Sequence, residues 1–330
     1  MSRRDDHRRL GRTALRVSPL CLGTMNFGPV ASEETSHAIL DRALDAGLNF
    51  VDTADQYGGS GAEGGGVGTT EEIIGRWMAE DASRRDRIVL ATKVHEPMSD
   101  DPNDRGLSAR HIRRACDASL RRLGTDHIDL YQMHHLDRSA HWDEIWQAME
   151  TLIGMGKISY VGSSNFPGWS IAQANEAARR RHTLGTVSEQ SLYNLAERTV
   201  ELEVLPAAMD YGVGVMAWSP LAGGLLGGVL NADTTGRRSS AAMLDRIEAH
   251  RPQLEQWESL CAELGRSPAI VALAWVAQQP ALTSVIVGPR TVEQLDDAIA
   301  SADLHLDDST LRRIDEIWPG PGPAPEAYAW

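Results

Sequence analysis

The feature of this 330-residue sequence that most constrains its fold is a repeated alternation of short apolar runs with amphipathic stretches. A short apolar run bounded by turn residues predicts a buried strand, and apolar residues at helical spacing predict a helix. Eight strands are predicted in this way, at residues 19–22, 49–52, 88–92, 128–133, 158–162, 186–189, 214–218 and 284–287. The helices predicted after them span residues 33–46, 70–79, 108–123, 142–155, 169–180, 199–211, 267–278 and 291–301. This alternation indicates an α/β protein with a parallel sheet.

Repeated βα units can close into a barrel or lie open as a doubly wound sheet, and the positions of the polar residues distinguish the two. In a barrel the active-site residues stand at the carboxyl ends of several strands, where Asp52, Lys93 and His134 fall. A doubly wound dinucleotide fold carries G-x-G-x-x-G after its first strand, and residues 20–28 lack it. We therefore predict a (β/α)8 TIM barrel formed by one domain over residues 1–330, preceded by a β-hairpin at residues 7–17 that turns at Gly11 and Arg12.

Two segments interrupt the βα alternation. The Gly-rich stretch 58–68 and the stretch 221–250, which carries Gly and polar residues, are predicted as long active-site loops. The tail 319–330 is rich in Pro and Ala and is predicted to be extended or loosely docked.

Composition excludes several classes of partner. A formal net charge of −14 argues against nucleic acid, which needs clustered Lys and Arg. No apolar run reaches the ~20 residues that span a bilayer. The N-terminal residues 1–18 are basic but lack the apolar core and cleavage site of a secretory signal. We therefore predict a cytoplasmic protein without membrane or nucleic-acid partners.

The cysteines and histidines do not form a metal-binding pattern. Cys21, Cys116 and Cys261 are odd in number and far apart, which suits neither a disulfide framework nor a zinc site. We expect them to be small buried apolar residues. The cluster of histidines and aspartate at 134–141 matches none of the usual helical ligand spacings. No metal is predicted.

Four ionisable residues stand at or just after predicted strand ends: Asp52, Tyr57, Lys93 and His134. A tyrosine with its ordinary pKa of ~10 is a weak acid at neutral pH, and an adjacent ammonium lowers that pKa. Lys93 can supply the ammonium, with Asp52 as its counter-charge. His134 can donate a second hydrogen bond to a substrate oxygen on which negative charge grows. The set predicts a proton-donating site whose product is an alcohol.

Seven ordered motifs make the chain resemble the aldo-keto reductase superfamily from Leu10 to about Ile317. They are Leu22-Gly23-Thr24-Met25, Asp52-Thr53-Ala54 with Tyr57-Gly58, Thr92-Lys93, Asp129-Leu130-Tyr131-Gln132-Met133-His134, Gly162-Ser163-Ser164-Asn165-Phe166, Trp218-Ser219-Pro220-Leu221, and Gly288-Pro289-Arg290 with Gln294. The resemblance implies reduction of an aldehyde or ketone, with Tyr57 as general acid, Lys93 lowering its pKa, Asp52 pairing Lys93, and His134 orienting the substrate.

The resemblance also implies a nicotinamide cofactor, NADP (NADPH) in preference to NAD. The implied cofactor-binding residues are Gly23, Thr24, Met25, Ser164, Asn165, Gln190, Trp218, Ser219, Pro220, Leu221, Gly223, Gly288, Arg290 and Gln294. Among them, Ser164, Asn165 and Gln190 are expected to hold the carboxamide. Trp218 is expected to lie against the nicotinamide ring, the segment after it to approach the pyrophosphate, and Gln294 to face the adenosine.

The preference for NADP rests on Arg290, because a phosphate beside it would meet both a guanidinium and a helix N-terminus. The chain departs from many relatives in having Ala298 where they carry an asparagine that meets the adenine. It also has no second cation just before Arg290, where some relatives carry lysine.

Two other functions are compatible with the same residues. Lys93 at a strand end can instead be the nucleophile of a Schiff-base lyase or aldolase. Some relatives with this architecture are cofactor-binding partners of membrane proteins, so a catalytically weak regulatory subunit is the third hypothesis. The carbonyl substrate, the direction of the reaction and the choice between monomer and homo-oligomer stay open.

Overall fold

The computed structural model describes residues 7–59, 66–230, 240–322 and 324–329. A short antiparallel hairpin, β1 (Arg8–Arg9) with β2 (Arg16–Val17), precedes a closed barrel of parallel strands. The barrel strands are β3 (Leu20–Gly23), β4 (Phe50–Asp52), β5 (Val89–Val94), β6 (Ile128–Met133), β7 (Ile158–Ser164), β8 (Thr186–Leu192), β9 (Gly214–Trp218) and β10 (Leu282–Val287). They pair in chain order and β10 closes on β3. The predicted (β/α)8 barrel with its N-terminal hairpin is confirmed.

Helices surround the barrel. They are α1 (Glu33–Asp45), α2 (Thr69–Glu80), α3 (Ser83–Arg87), α4 (Ala109–Leu123), α5 (Trp142–Gly154), α6 (Gly168–Arg180), α7 (Val200–Asp210), α8 (Ala241–Ala249), α9 (Arg251–Glu263), α10 (Pro268–Ala277), α11 (Val292–Ser301), α12 (Asp308–Ile317) and α13 (Glu326–Ala329). Local sequence sets several of their ends. The hydroxyls of Ser32 and Ser108 accept from the amides of Thr35 and His111, and α4 ends at Gly124 in the left-handed conformation.

Two predicted loops and the tail differ from expectation in part. Stretch 221–250 contains a 3-10 turn at Ala222–Gly224 and α8, which Ser240 caps and whose buried Met243 and Ile247 face the core. The pattern was missed because exposed polar residues separate those two apolar positions. The tail includes α13, an exposed turn of helix. Residues 60–65 and 231–239, which belong to the two predicted loops, lie outside the described residues.

The interior of the barrel is apolar at the amino ends of its strands, where the hairpin covers it. Leu10 and Val17 of the hairpin region pack with inward side chains of the strands, namely Cys21, Phe50, Val89, Ala91, Leu130, Val187, Met216 and Ile286. The approach is close at Gly11, whose φ is +55°. A Cβ there would lie 2.7 Å from the carbonyl oxygen of Gly212 and 2.8 Å from the amide nitrogen of Gly214. Only glycine fits this contact.

The three cysteines are buried and free, as expected for small core residues. In the described part of the chain no single helix is long and apolar enough to cross a membrane. One bent pair, α9 with α10 at 91°, meets the length and composition criteria only when both helices are counted together.

Candidate active site

Asp52, Lys93 and Tyr57 form one hydrogen-bonded group at the carboxyl end of the barrel. Asp52 ends β4, Lys93 lies near the end of β5, and Tyr57 lies on the loop after β4. The ammonium of Lys93 donates to Oδ2 of Asp52 at 2.5 Å, to the carbonyl oxygen of Thr53 at 2.9 Å and to the phenol oxygen of Tyr57 at 3.2 Å. A lysine has three protons to donate, so each one has an acceptor. The structure therefore brings together three of the four residues predicted as catalytic.

The charges of this group are held in place by burial and pairing. Lys93 is fully buried, which opposes its charge, but the Asp52 carboxylate and the Tyr57 phenol hold its pKa above the ordinary value. Burial raises the pKa of Tyr57, and the Lys93 ammonium acts in the opposite direction without overcoming it. The sequence-based expectation of a lowered pKa considered the ammonium alone. Tyr57 is therefore protonated at neutral pH and able to donate its proton.

His134 follows β6 directly and stands beside the phenol. Its ring lies 6.0 Å from that of Tyr57, centroid to centroid, in an edge-to-face arrangement. Its amide donates to the carbonyl oxygen of Val94 at 2.9 Å, which fixes the strand end. Burial, together with the nearby Lys93 charge, lowers the pKa of His134 to about 2. The imidazole is therefore neutral, with one N–H to donate.

The other oxygen of Asp52 is held by two glutamines. Gln132 of β6 and Gln190 of β8 donate their side-chain amides to Oδ1 of Asp52 at 2.8 and 2.9 Å. Gln190 also donates to Oε1 of Gln132 at 3.2 Å. Gln190 was predicted as a cofactor residue, whereas Gln132 was not predicted as a site residue. The available signal was an amide side chain between Tyr131 and Met133, two residues before His134.

Residues expected to hold the nicotinamide are linked to one another. The amide of Asn165 donates to the carbonyl oxygen of His134 and to the hydroxyl of Ser164, at 3.2 and 3.1 Å. The indole of Trp218 donates to Oδ1 of Asn165 at 3.1 Å. Ser164 donates to the carbonyl oxygen of Gln190 at 2.8 Å. These contacts place the ends of β7, β8 and β9 around one small region beside His134.

A buried carboxyl group, that of Glu189, accepts hydrogen bonds from residues of this region. Glu189 of β8 accepts from the hydroxyls of Ser163 and Ser191, at 2.5 and 2.8 Å, and from the amide of Phe166 at 3.1 Å. Phe166 follows Asn165, whose φ of +60° is unusual for a residue with a side chain. Burial raises the pKa of Glu189 to about 7. Sequence reasoning assigned it only to a strand, although a charged residue inside a strand was the available signal.

The predicted pyrophosphate segment has a contorted backbone. Ser219, Ala222 and Gly223 have φ values of +53°, +53° and +73°. Pro220 is buried, Leu221 packs against the core, and Gly223 is exposed. Arg246 of α8 donates to the carbonyl oxygen of Ala222 at 3.1 Å. Arg246 was not predicted, because its helix was taken for a loop.

The remaining residues predicted to bind the cofactor form two groups. Gly23 ends β3 and Gly288 follows the adjacent strand β10, and Asn26 donates to the carbonyl oxygen of Gly288 at 2.8 Å. Thr24 is buried and donates to the carbonyl oxygen of Asp52, while Met25 is half exposed. The start of α11 forms the second group. There the side-chain oxygen of Gln294 accepts from the amide of Arg290 at 2.9 Å. Ala298 is buried in the core.

Two imidazoles, those of His95 after β5 and His135 after β6, lie beside the Glu96 carboxylate. His135 stacks on His134 at 5.1 Å between centroids, and Glu96 lies 3.3 Å from His135 and 3.4 Å from His95. Among the described residues no group of His, Cys, Asp or Glu has an arrangement that could hold a metal ion.

Comparison with known proteins shows which family and which proteins the chain is similar to. The model of the aldo/keto reductase family matches residues 19–319. An uncharacterized oxidoreductase of Bacillus subtilis, YrpG, is 56% identical over 97% of this chain and 98% of its own length. Versiconal hemiacetal acetate reductase of Aspergillus parasiticus is 32% identical over 94% and 96%, respectively. A probable voltage-gated potassium channel subunit beta of Arabidopsis thaliana is 32% identical over 98% and 99%.

Proposed function

The chain belongs to the aldo/keto reductase family, and we propose that it is an NADPH-dependent oxidoreductase that reduces an aldehyde or ketone to an alcohol. Family membership and the reductase names among its relatives support carbonyl reduction with a nicotinamide cofactor. The observation that carries the finer proposal is the buried Lys93 ammonium, which bridges the Asp52 carboxylate and the Tyr57 phenol.

Tyr57 is the proposed proton donor. Its phenol is protonated at neutral pH, and its oxygen already accepts from Lys93, so its own proton is available to another acceptor. When that proton leaves, the phenolate faces an ammonium 3.2 Å away, which stabilises the charge as it forms. Lys93 remains protonated because Asp52 holds it. The pair therefore makes Tyr57 a stronger acid than burial alone would allow.

His134 is the proposed second donor to the carbonyl oxygen. Because its imidazole is neutral, it offers a hydrogen bond without adding a fixed positive charge near Lys93. Two donors, a phenol and an imidazole, then converge on the oxygen that becomes negatively charged.

The residues around Gln190 are suited to a nicotinamide. Its N–H groups are directed to Asp52 and Gln132, and no described residue donates to its Oε1, which is therefore available to a carboxamide NH2 group. Ser164, Asn165 and Trp218 lie beside it. When bound there, the reduced cofactor supplies the hydride. We assign the preference for NADPH to Arg290, which lies partly exposed just before α11.

The charge state of Lys93 argues against the Schiff-base hypothesis. A lysine nucleophile must lose its proton, and Asp52 and Tyr57 hold the pKa of Lys93 above its ordinary value. The regulatory hypothesis is kept as a second candidate, because relatives in two plants bear the name of a potassium channel subunit beta. Such a protein would bind cofactor with little turnover.

A cofactor-oxidation assay tests the proposal. The protein is mixed with NADPH or NADH and a panel of aliphatic and aromatic aldehydes and ketones that includes a hemiacetal acetate. We expect turnover with NADPH, and Tyr57→Phe should lower its rate about 100- to 10,000-fold because the proton donor is lost. Tyr160→Phe is the matched control, since it removes the same hydroxyl from β7 near the apolar part of the barrel.

The results separate the hypotheses. Binding of NADPH without turnover on any carbonyl would support the regulatory candidate. Borohydride trapping of a carbonyl compound on Lys93 would support a lyase. Unchanged reduction in Tyr57→Phe would show that the proton comes from another group. For the cofactor preference, Arg290→Ala should weaken NADPH about tenfold while NADH changes by less than about twofold.

A further inference from the structure

Gln132 is the one member of the Asp52 group for which the proposed chemistry names no role. It is fully buried within β6 and lies in register with Lys93 on one side and Gly162 on the other. A Cβ on Gly162 would lie 3.0 Å from Cγ of Gln132. The glycine therefore leaves the space that the glutamine side chain fills inside the barrel.

Gln132 and Gln190 together fix the rotation of the Asp52 carboxylate. Both donate to Oδ1, at 2.8 and 2.9 Å, and this leaves Oδ2 directed at Lys93. A carboxylate that lost one of these donors would be free to rotate, and its contact with Lys93 would be less well fixed. The Lys93 ammonium in turn would be less firmly held beside the Tyr57 phenol.

Gln132 also determines which way the Gln190 amide faces. Gln190 Nε2 lies between two acceptors, Oδ1 of Asp52 and Oε1 of Gln132, so its N–H groups are directed into the barrel. Its oxygen is thereby turned away from them. Without the Gln132 acceptor, one of the two contacts that orient this amide disappears.

We propose that Gln132 is a positioning residue that couples the cofactor site to the proton donor, by fixing Asp52 toward Lys93 and by orienting Gln190 toward the nicotinamide carboxamide. This inference rests on the proposed function. It extends that function because one fully buried amide sets both the acidity of Tyr57 and the affinity for cofactor.

The test compares Gln132→Met, Gln132→Glu and the control Ser188→Ala in the full-length protein. Methionine keeps the length of the side chain and removes both polar atoms. Glutamate keeps the shape but places a second carboxyl group beside Asp52. Ser188 is buried on β8, next to Gly162, and its hydroxyl has no hydrogen-bond partner among the described residues. It therefore reports on loss of a polar group in the same layer without contact to Asp52.

We expect Gln132→Met to lower kcat about 10- to 100-fold and to weaken NADPH binding, measured by fluorescence titration, about tenfold. The basic limb of its pH–rate profile should move to higher pH, because a Lys93 ammonium that Asp52 holds less firmly lowers the pKa of Tyr57 less against the effect of burial. Gln132→Glu should be less active than Gln132→Met at pH 8. Ser188→Ala should stay within about twofold of the parent in all three measurements.

A Gln132→Met protein with a lower melting temperature but the parent pH profile and NADPH affinity would overturn the inference, since a space-filling role alone predicts that result. Equal losses in Ser188→Ala would overturn it as well. If the parent protein reduced no carbonyl, the proposed function would fail. The NADPH titration would still show whether Gln132 orients Gln190.

Discussion

The two ends of the barrel are built from the same strands and differ in the polarity of the side chains that point inward. At the amino end, Phe50, Ala91 and Leu130 pack with the hairpin in a buried apolar cluster. Two residues further along the same strands, the inward side chains are Asp52, Lys93 and Gln132. One pleat repeat therefore separates core from proposed active site.

This contrast teaches that charges buried at the polar end need hydrogen-bond and ion-pair partners within the protein. The apolar end gains stability from burial alone. At the polar end, Lys93 and Asp52 are buried as well, and their charges need partners: Lys93 has three acceptors, and Asp52 has three donors. The same contacts that make burial tolerable also fix the chemistry. We therefore expect substitutions at the polar end to affect activity and stability together, and those at the apolar end to affect stability alone.

The largest effect is expected for Lys93→Met, which leaves Asp52 buried without its counter-charge. Carbonyl reduction should be lost, and the free energy of unfolding in urea should fall by about 3–5 kcal/mol. The double variant Asp52→Asn with Lys93→Met removes both charges and should recover most of that stability without recovering activity. If the single variant unfolds like the parent, the polar end does not depend on its internal pairing.

At the apolar end, Gly11→Ala should lower the free energy of unfolding by about 2–4 kcal/mol, because the new Cβ meets the backbone of the opposite strands at a positive φ. The activity of the folded fraction should be unchanged. Gly124→Ala is the matched control: its φ is +63° but nothing lies within 4 Å of the added Cβ. Its smaller loss measures backbone strain alone. A large change in kcat for Gly11→Ala would remove the distinction between the ends.

Glu189 is expected to give a moderate, pH-dependent effect at the polar end. Its pKa of about 7 in the folded protein lies above the ordinary value of 4.5. The unfolded chain therefore releases this proton first, and the contribution is fully present below pH 4.5 and lost as the pH rises through 7. Between pH 5 and pH 7 the loss is about 2 kcal/mol.

Urea unfolding at several pH values checks this expectation. Glu189→Gln should lack that part of the decline, since the amide does not titrate, whereas Glu34→Gln, which replaces an exposed carboxylate, should keep it. Parallel curves for Glu189→Gln and the parent would mean that Glu189 does not hold its proton in the folded state.

The smallest effect is expected away from both ends. Arg42 of α1 pairs with Asp296 of α11 at 2.6 Å, and both side chains are substantially exposed. Arg42→Ala should change the free energy of unfolding by less than about 1 kcal/mol and leave catalysis unaltered. A larger loss would show that the outer ring of helices contributes to the difference between the ends.

Much of this arrangement could be predicted from local pattern. The barrel strands fell within a few residues of their predicted positions, because apolar runs and turn residues are local signals. The four residues predicted as catalytic were selected from their places at or just after the ends of those strands. Helix α8 was missed because its buried positions are few and lie among exposed polar residues.

The contacts of Gln132 and Gln190 with Asp52 could not be predicted from local sequence pattern. They join Asp52 to residues that are 80 and 138 positions away in the chain. No periodicity specifies which side chains meet across a closed barrel.

The sequence by itself determined the order of the elements and the barrel, and it predicted Asp52, Tyr57, Lys93 and His134 as a proton-donating set. Only the tertiary structure decided the electrostatics of that set. Burial raises the pKa of Tyr57 where the neighbouring lysine alone would lower it, and lowers that of His134 to about 2. The reason is physical: desolvation depends on everything that closes around a group, and that surrounding is assembled from all the strands at once.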